Sequence, residues 1–265
     1  MKICMAGACG RMGKRILEMA AAAPDIEIGP AFDAPKNAGT ELTMGTETGN
    51  TQTVTVGSDP ATEIPKADAL IDFTFAAVCL QNIRDAAEAN VPAIIGTTGL
   101  NEEQVQELHT LAKKIPIVYA PNMSIGVNLL FQLTTQVAKT LGLDYNVEII
   151  DIHHNLKKDS PSGTAVRLAK CAAEALDLDY NNDTAHGREG IIGERPQKQI
   201  GVHALRGGDI VGEHTVSFIG QGERIELTHK AHNRDNFARG ALIAAKFAHT
   251  AKPGLYDMQH VLGLK

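Results

Sequence analysis

The sequence predicts an α/β chain: a doubly wound parallel sheet, followed by a second α+β domain with a mixed, largely antiparallel sheet. Three observations predict it. Short apolar runs alternate with helically spaced stretches between residues 2 and 119, the order that builds a parallel sheet covered by helices on both faces. Glycines stand at positions 7, 10 and 13, between the first apolar run and the first helical stretch, which makes the first domain Rossmann-like. After Asn122 the alternation stops, and three strand-like runs follow one another with Gly-bearing turns between them.

Taken in order, residues 2–6, 26–32, 69–73, 93–95 and 115–119 read as strands, and 12–22, 76–90 and 102–114 carry helical apolar spacing. The segment 40–59, rich in Thr and Gly with one V-T-V run, predicts an irregular connection or a small extra strand. Beyond it a helix at 127–141 leads to a strand at 146–153, a helix starting near Thr164 and a polar loop at 181–199. The runs 200–205, 211–219 and 224–229, separated by R-G-G-D and G-Q-G-E, suggest an antiparallel sheet. A last helix at 236–249 has the composition to return to the first sheet. The expected domains are therefore 1–124 with 235–265, and 125–234.

Of the 265 residues, 43% are hydrophobic, enough for a substantial core. The 25 Lys and Arg against 31 Asp and Glu leave a formal charge of −6, and the basic residues are scattered, so nucleic acid is not an expected partner. No stretch approaches the roughly 18 apolar residues of a membrane span, and the start lacks the apolar core of a signal peptide. A cytoplasmic protein without a membrane partner is expected. Cys4, Cys9, Cys79 and Cys171 show no C-x-x-C spacing, so packing in a reducing compartment is the reading for all four.

In K-I-C-M-A-G-A-C-G-R-M-G, the residues Gly7, Gly10 and Gly13 let the backbone turn tightly and approach a pyrophosphate at the helix start. Asp33 closes the second strand twenty positions later, where an acid accepts hydrogen bonds from ribose hydroxyls. Ala34 stands where an enzyme binding a 2′-phosphate would place a basic group, although Lys36 follows. G-T-T-G at 96–99 and A-P-N-M-S at 120–124 lie at the carboxyl ends of two further strands, the edge on which open α/β sheets bind ligands.

The chemistry gathers in E-I-I-D-I-H-H-N-L-K-K-D-S-P-S-G-T-A, residues 148–165. Adjacent residues of a strand point to opposite faces, so His153 and His154 do not readily chelate one ion, and no zincin spacing is present. No metal is expected. An imidazole titrating near pH 6.5 suits proton delivery, Lys157 and Lys158 add positive charge, and D-S-P-S-G-T-A makes a turn in which Ser162 or Thr164 caps the next helix. The N–H groups of Ser162, Gly163 and Thr164 would then form a carboxylate site.

This stretch, with G-A-C-G-R-M-G, D-F-T, G-T-T-G, A-P-N-M-S-I-G-V-N, G-R-E-G-I-I-G-E-R, R-G-G-D-I-V-G-E-H and T-H-K-A-H-N-R-D-N-F-A, resembles the signature of the 4-hydroxy-tetrahydrodipicolinate reductases (dihydrodipicolinate reductases). The resemblance covers nearly the whole chain. It implies reduction of a cyclic dicarboxylate on the diaminopimelate route to lysine, with NADH or NADPH as cofactor. It further implies His153 as catalytic histidine and Lys157 as catalytic lysine, with His154, Ser162, Gly163 and Thr164 binding substrate. The matching cofactor positions are Gly7, Ala8, Cys9, Gly10, Arg11, Met12, Gly13, Asp33, Gly96, Thr97, Thr98, Ala120, Pro121, Asn122 and Met123, with Arg234 and Phe237 approaching from the last segment. A hinged two-domain subunit and a homotetramer built through the second sheet are implied as well. The chain departs from the family at Ala34, where arginine is common, and at Asn155-Leu156, where the family is more basic; both departures bear on phosphate preference. Two other readings stay open: another nicotinamide-dependent reductase of a small carbonyl acid, which a substrate panel separates, and a non-catalytic NAD-sensing regulator, which would need an effector surface.

Overall fold

The chain opens with β1 (Lys2–Ala6) and α1 (Arg11–Ala21), joined through the glycine turn. The computed structural model describes residues 1–45 and 51–265. There follow β2 (Glu27–Phe32), β3 (Glu41–Gly45), β4 (Thr51–Gly57), the short α2 (Pro60–Glu63), β5 (Ala69–Asp72), α3 (Ala76–Glu88), β6 (Ala93–Ile95), α4 (Glu102–Leu111) and β7 (Pro116–Tyr119). Next come α5 (Ile125–Leu141), β8 (Asn146–His153), α6 (Gly163–Leu176), β9 (Thr184–His186), β10 (Ile200–Arg206), β11 (Gly212–Ile219) and β12 (Arg224–Ala231). α7 (Asp235–Thr250), β13 (Gly254–Tyr256) and α8 (Met258–Val261) complete the order. Two units result, Met1–Ile125 with Arg234–Lys265, and Gly126–Asn233.

In the first unit eight strands run in the order β13-β7-β6-β5-β1-β2-β4-β3, every neighbouring pair parallel except β3 with β4. β5 and β6 are buried at every position because apolar clusters cover both faces of the sheet. Ile16 and Leu17 of α1 and the alanines of α7 fill one cluster; Ile83 of α3 and Leu108 of α4 fill the other. α4 begins on a capping box in which the Asn101 side chain and the Gln104 side chain each take the other residue's backbone N–H.

The second unit carries five strands in the order β12-β11-β8-β10-β9. Val147, Ile149, Val202, Val216 and Phe218 pack against Leu130 and Ala138 of α5 and Leu168 and Ala172 of α6. The ladders of β11 to β8 and β12 are antiparallel, and those of β10 to β8 and β9 are parallel.

Several local expectations change. The 40–59 segment holds two antiparallel strands, of which β4 also joins β2 in parallel; residues 46–50 of that expectation lie outside the described residues. β9 occupies part of the expected 181–199 loop, and β13 and α8 extend the C-terminal segment; each is too short to show a period. β10 and β11 do not form the hairpin suggested by R-G-G-D. The loop between them instead bonds the end of β8: Gly207 donates its N–H to the His153 carbonyl (2.9 Å), Asn155 to Gly208 (3.2 Å) and His154 to Ile210 (2.8 Å). β8 is thereby inserted between β10 and β11. Among the described residues, no helix is long and apolar enough to cross a membrane.

Candidate functional site

In the first unit the parallel register brings the ends of β1, β2, β5, β6 and β7 to one edge. Gly7 has φ +78°, and a Cβ there would lie 2.6 Å from the Phe73 carbonyl oxygen; at Gly13 it would lie 2.2 Å from the Gly7 oxygen. Gly10 caps α1 in extended backbone without a side-chain partner, so the helix N–H groups head a cradle open to an anion. Asp33 reaches back to this turn, accepting from Cys9 N (2.9 Å), and also from Ala34 N (2.7 Å) and Asn37 Nδ2 (2.8 Å). These residues fit a dinucleotide: a tight turn without side chains, a helix start for the pyrophosphate, and an acid at the end of the neighbouring strand.

Asp72, an unanticipated residue, organises the adjoining loops. Fully buried at the end of β5, it accepts from Thr74 N (3.0 Å), Thr74 Oγ1 (2.7 Å), Thr97 Oγ1 (2.6 Å) and Asn82 Nδ2 (2.7 Å). The D-F-T and G-T-T-G segments are thus one assembly, and a Cβ on Gly96 would overlap the Phe73 ring at 2.2 Å. Thr97 and Met123 are buried, while Thr98 and Pro121 are exposed. Gly240 of α7 lets the helix sit on the Met123 carbonyl, where a Cβ would come within 1.8 Å. The start of α7, with Arg234 and Phe237, is tied to α1 by Arg15, whose Nε and Nη2 donate to Asp235 at 2.6 and 2.7 Å.

In the second unit alternate residues of β8 face inward: Val147, Ile149, Asp151 and His153 are buried. The first two are part of the apolar cluster, whereas Asp151 and His153 start a polar row. Asp151 lies opposite His214 on β11, His214 opposite His229 on β12, and His153 opposite Arg206 on β10. Oδ1 of Asp151 is 2.7 Å from Nδ1 of His153 and 3.4 Å from Nε2 of His214. The His153 and Asp151 groups meet at close range without the alignment of a hydrogen bond. Oδ2 accepts from Ser162 N at 2.8 Å and from Arg206 Nη2 at 3.2 Å. The His153 and His214 rings meet edge to face, 5.2 Å between centroids, and a Cβ on Gly212 would lie 2.9 Å from His153 Nε2.

The expected carboxylate site is brought together only in part. Ser162 is 2% exposed; its N–H is spent on Asp151 and its Oγ caps α6 by accepting from Ala165 N while touching His214 Nε2 at 3.1 Å. Its groups therefore face inward, which corrects the expectation of three outward amides. Gly163 is exposed and Thr164 partly exposed at the helix start. His154 is half-buried, and Lys157 reaches Asp159, Nζ to Oδ1 2.9 Å. Asp151, His214, Arg206 and Gly212 escaped sequence reasoning because β-sheet register, not spacing along the chain, sets them beside His153. The V-G-E-H and R-G-G-D segments contained the signal without the pairing. Asp151, His153 and His214 offer ligand-type atoms within 4.8 Å of one another, and the guanidinium of Arg206 supplies positive charge to the same carboxylate.

Burial would raise the Asp151 carboxyl, but His153, His214 and the Ser162 N–H outweigh it and hold it far below the usual carboxylate range. Burial lowers His214 despite its contact with Asp151, and burial lowers His229, with His214 adding to the effect. Both rings take up protons less readily folded than unfolded, so the unfolded chain binds more protons once pH falls below about 6.5, and stability declines there. Asp151 acts in another window: its contribution is complete above the ordinary carboxylate range and is lost only in strong acid. Urea unfolding is expected to require less denaturant at pH 5.5 than at pH 7.5, with a shallower fall in His214→Gln. An equal pH slope in that variant would contradict the assignment.

Family models for the dihydrodipicolinate reductase N-terminus and C-terminus match residues 1–123 and 126–262. The chain is 49% identical over 265 residues to the 4-hydroxy-tetrahydrodipicolinate reductase of Citrifermentans bemidjiense, covering all of this chain and 99% of that one. It is 48% identical, with the same coverage, to the enzyme of that name from Geobacter sulfurreducens. Among solved structures, the dipicolinate-bound dihydrodipicolinate reductase of Paenisporosarcina sp. TG-14 is similar at TM-score 0.78 over 97% of each chain; at 24% identity this likeness concerns the fold. A probable dehydrogenase from Thermotoga maritima shares the fold more distantly, at TM-score 0.56 and 12% identity over 98% of this chain and 92% of that one.

Proposed function

The chain belongs to the dihydrodipicolinate reductase family, and from that premise we propose that it reduces 4-hydroxy-tetrahydrodipicolinate (dihydrodipicolinate) to tetrahydrodipicolinate in lysine and diaminopimelate biosynthesis. The observation that carries the reading is the His153–Asp151–Ser162 assembly, a proton donor and a helix start joined through one buried carboxylate.

Gly7 to Gly13, Asp33, Gly96 to Thr98 and Ala120 to Met123, with Arg234 and Phe237, would hold NADH or NADPH, which would supply a hydride to C4 of dihydrodipicolinate, the cyclic diacid left when 4-hydroxy-tetrahydrodipicolinate loses its C4 hydroxyl as water. His153 gives a proton to the neighbouring carbon, where negative charge builds as the hydride arrives. Lys157 stabilises that charge or serves as alternative donor. His154, the charge of Lys157 and the start of α6 at Gly163 and Thr164 hold the carboxylates. Ser162 contributes from beneath, as cap of that helix. Isoleucine and leucine side chains at 150, 205 and 219, 37–48% exposed, lie on the sheet face opposite α5 and α6, which supports a homotetramer built through this sheet. The four cysteines form no disulfide, in keeping with action in the cytoplasm.

Asp33, followed by Ala34, suits ribose hydroxyls better than a 2′-phosphate. NADH is expected to give a kcat/KM at least equal to that of NADPH when freshly generated substrate is reduced and nucleotide oxidation is followed at 340 nm. A large advantage for NADPH would overturn the preference; no substrate-dependent oxidation of either nucleotide would overturn the function.

A further inference from the structure

We propose that Asp151 is a positioning residue for the reaction, fixing the proton donor and the substrate-binding helix start to each other through the two oxygens of one carboxylate. The proposal rests on His153 acting as the proton donor. Oδ1 faces His153 Nδ1 at 2.7 Å and Oδ2 takes the Ser162 N–H at 2.8 Å. Ser162 is the N-cap of α6, so any shift of the carboxylate moves both ends of the bound diacid's surroundings together. Asp151 has no solvent exposure, and a buried carboxylate keeps its charge only where partners supply compensation.

Those partners come from every neighbouring element. Arg206 on β10 donates to Oδ2 at 3.2 Å and, from the same Nη2, to the Asp159 carbonyl at 2.8 Å. Asp159 in turn holds Lys157 at 2.9 Å, so the loop bearing the lysine hangs on the same guanidinium. His214 on β11 stands 3.4 Å from Oδ1, with its own affinity for protons reduced by burial. His229 on β12 lies beyond it in the row and is lowered as well. Of the three imidazoles in the row, His153 comes nearest the carboxylate, at 2.7 Å against 3.4 Å for His214.

The geometry also selects the nitrogen that reacts. Nδ1 is the ring nitrogen beside Asp151, 2.7 Å from Oδ1, and the absence of a side chain on Gly212 leaves room around Nε2. The imidazolium breaks its Nε2–H bond, the proton forms the new C–H bond of the product, and the ring remains as the neutral Nδ1–H form beside an unchanged carboxylate. Solvent returns the proton to Nε2 before the next turnover.

Asp151→Asn tests this because the amide oxygen still accepts the Ser162 N–H while the charge is gone. The variant is expected to bind NADH as the parent does and to lose about tenfold or more in kcat at pH 7.5, with the alkaline fall of kcat beginning about one pH unit lower. The NMR titration midpoint of the His153 ring, identified by its loss in His153→Gln, is expected to move the same way, and Asp151→Glu to recover part of both. A His153 midpoint unmoved in Asp151→Asn would overturn the positioning role alone. A midpoint that moves while the kcat profile stays in place would remove His153 as donor, and the proposal with it. Should Asp151→Asn fail to fold, the intact protein decides: ¹⁵N shifts of His153 above its midpoint are expected to report the Nδ1–H tautomer, and a dominant Nε2–H tautomer would overturn the assignment.

Discussion

Replacing His153 by alanine is expected to lower kcat by about 10²–10⁴, the scale of losing a positioned proton donor, with Lys157→Ala falling in the same range. The expectation follows from where the ring sits. It ends an inward-facing strand register, is 8% exposed, and has Asp151 at Nδ1 and Gly212, whose added Cβ would lie 2.9 Å away, beside Nε2. A side chain so held has few other orientations, and entering water cannot occupy its place with the same alignment. Nucleotide affinity is expected to stay near that of the parent, because the glycine turn, Asp33 and the two loops beside Asp72 are in the other unit. Steady-state kcat together with NADH titration separates the two effects. Near-normal turnover in both variants would remove the pair from the mechanism.

Gly13→Ala is expected to weaken NADH binding at least about tenfold and to cost about 1–3 kcal/mol of stability, the usual range for overpacking. The added methyl would meet backbone only: the Gly7 oxygen at 2.2 Å, Ala8 Cα at 2.8 Å and the Gly7 carbonyl carbon at 2.9 Å. Backbone cannot rotate aside as a flexible side chain would, so α1 must lift from the turn that it heads. The displacement would reach Asp33, which holds the Cys9 N–H of the same turn. Gly10→Ala is the control, since its methyl would meet only the Gly7 oxygen, at 3.1 Å, and should cost much less. NADH fluorescence titration and thermal unfolding measure both quantities; parent-like affinity in Gly13→Ala would mean the turn does not face the pyrophosphate.

The first sheet was readable from particular residues because its signals are local. I-C-M-A and A-I-I are continuous apolar strands buried on both faces, and each is followed by a polar or glycine loop at the carboxyl edge. The second sheet is less legible in the sequence. Its strands at 146–153 and 211–219 were visible, but R-G-G-D looked like a hairpin turn, and only the bonds of residues 207–210 to the end of β8 place that strand between β10 and β11. By its place in P-S-G-T, Ser162 is expected to face substrate, and it faces inward because Asp151 takes its N–H.

By itself the sequence determined what depends on neighbours along the chain: the strand–glycine–helix turn, the acid twenty residues later, and a histidine, lysines and a helix start within eighteen positions. Tertiary structure alone decided that Asp151 stands beside His153, that Arg206 and His214 flank the same carboxylate from 55 and 63 residues away along the chain, and that Asp72 binds the loops after β5 and β6 into one. The physical reason is that a carboxylate loses its water on burial and must be compensated by donors or charge, and cross-strand register determines which distant groups come near enough to do so.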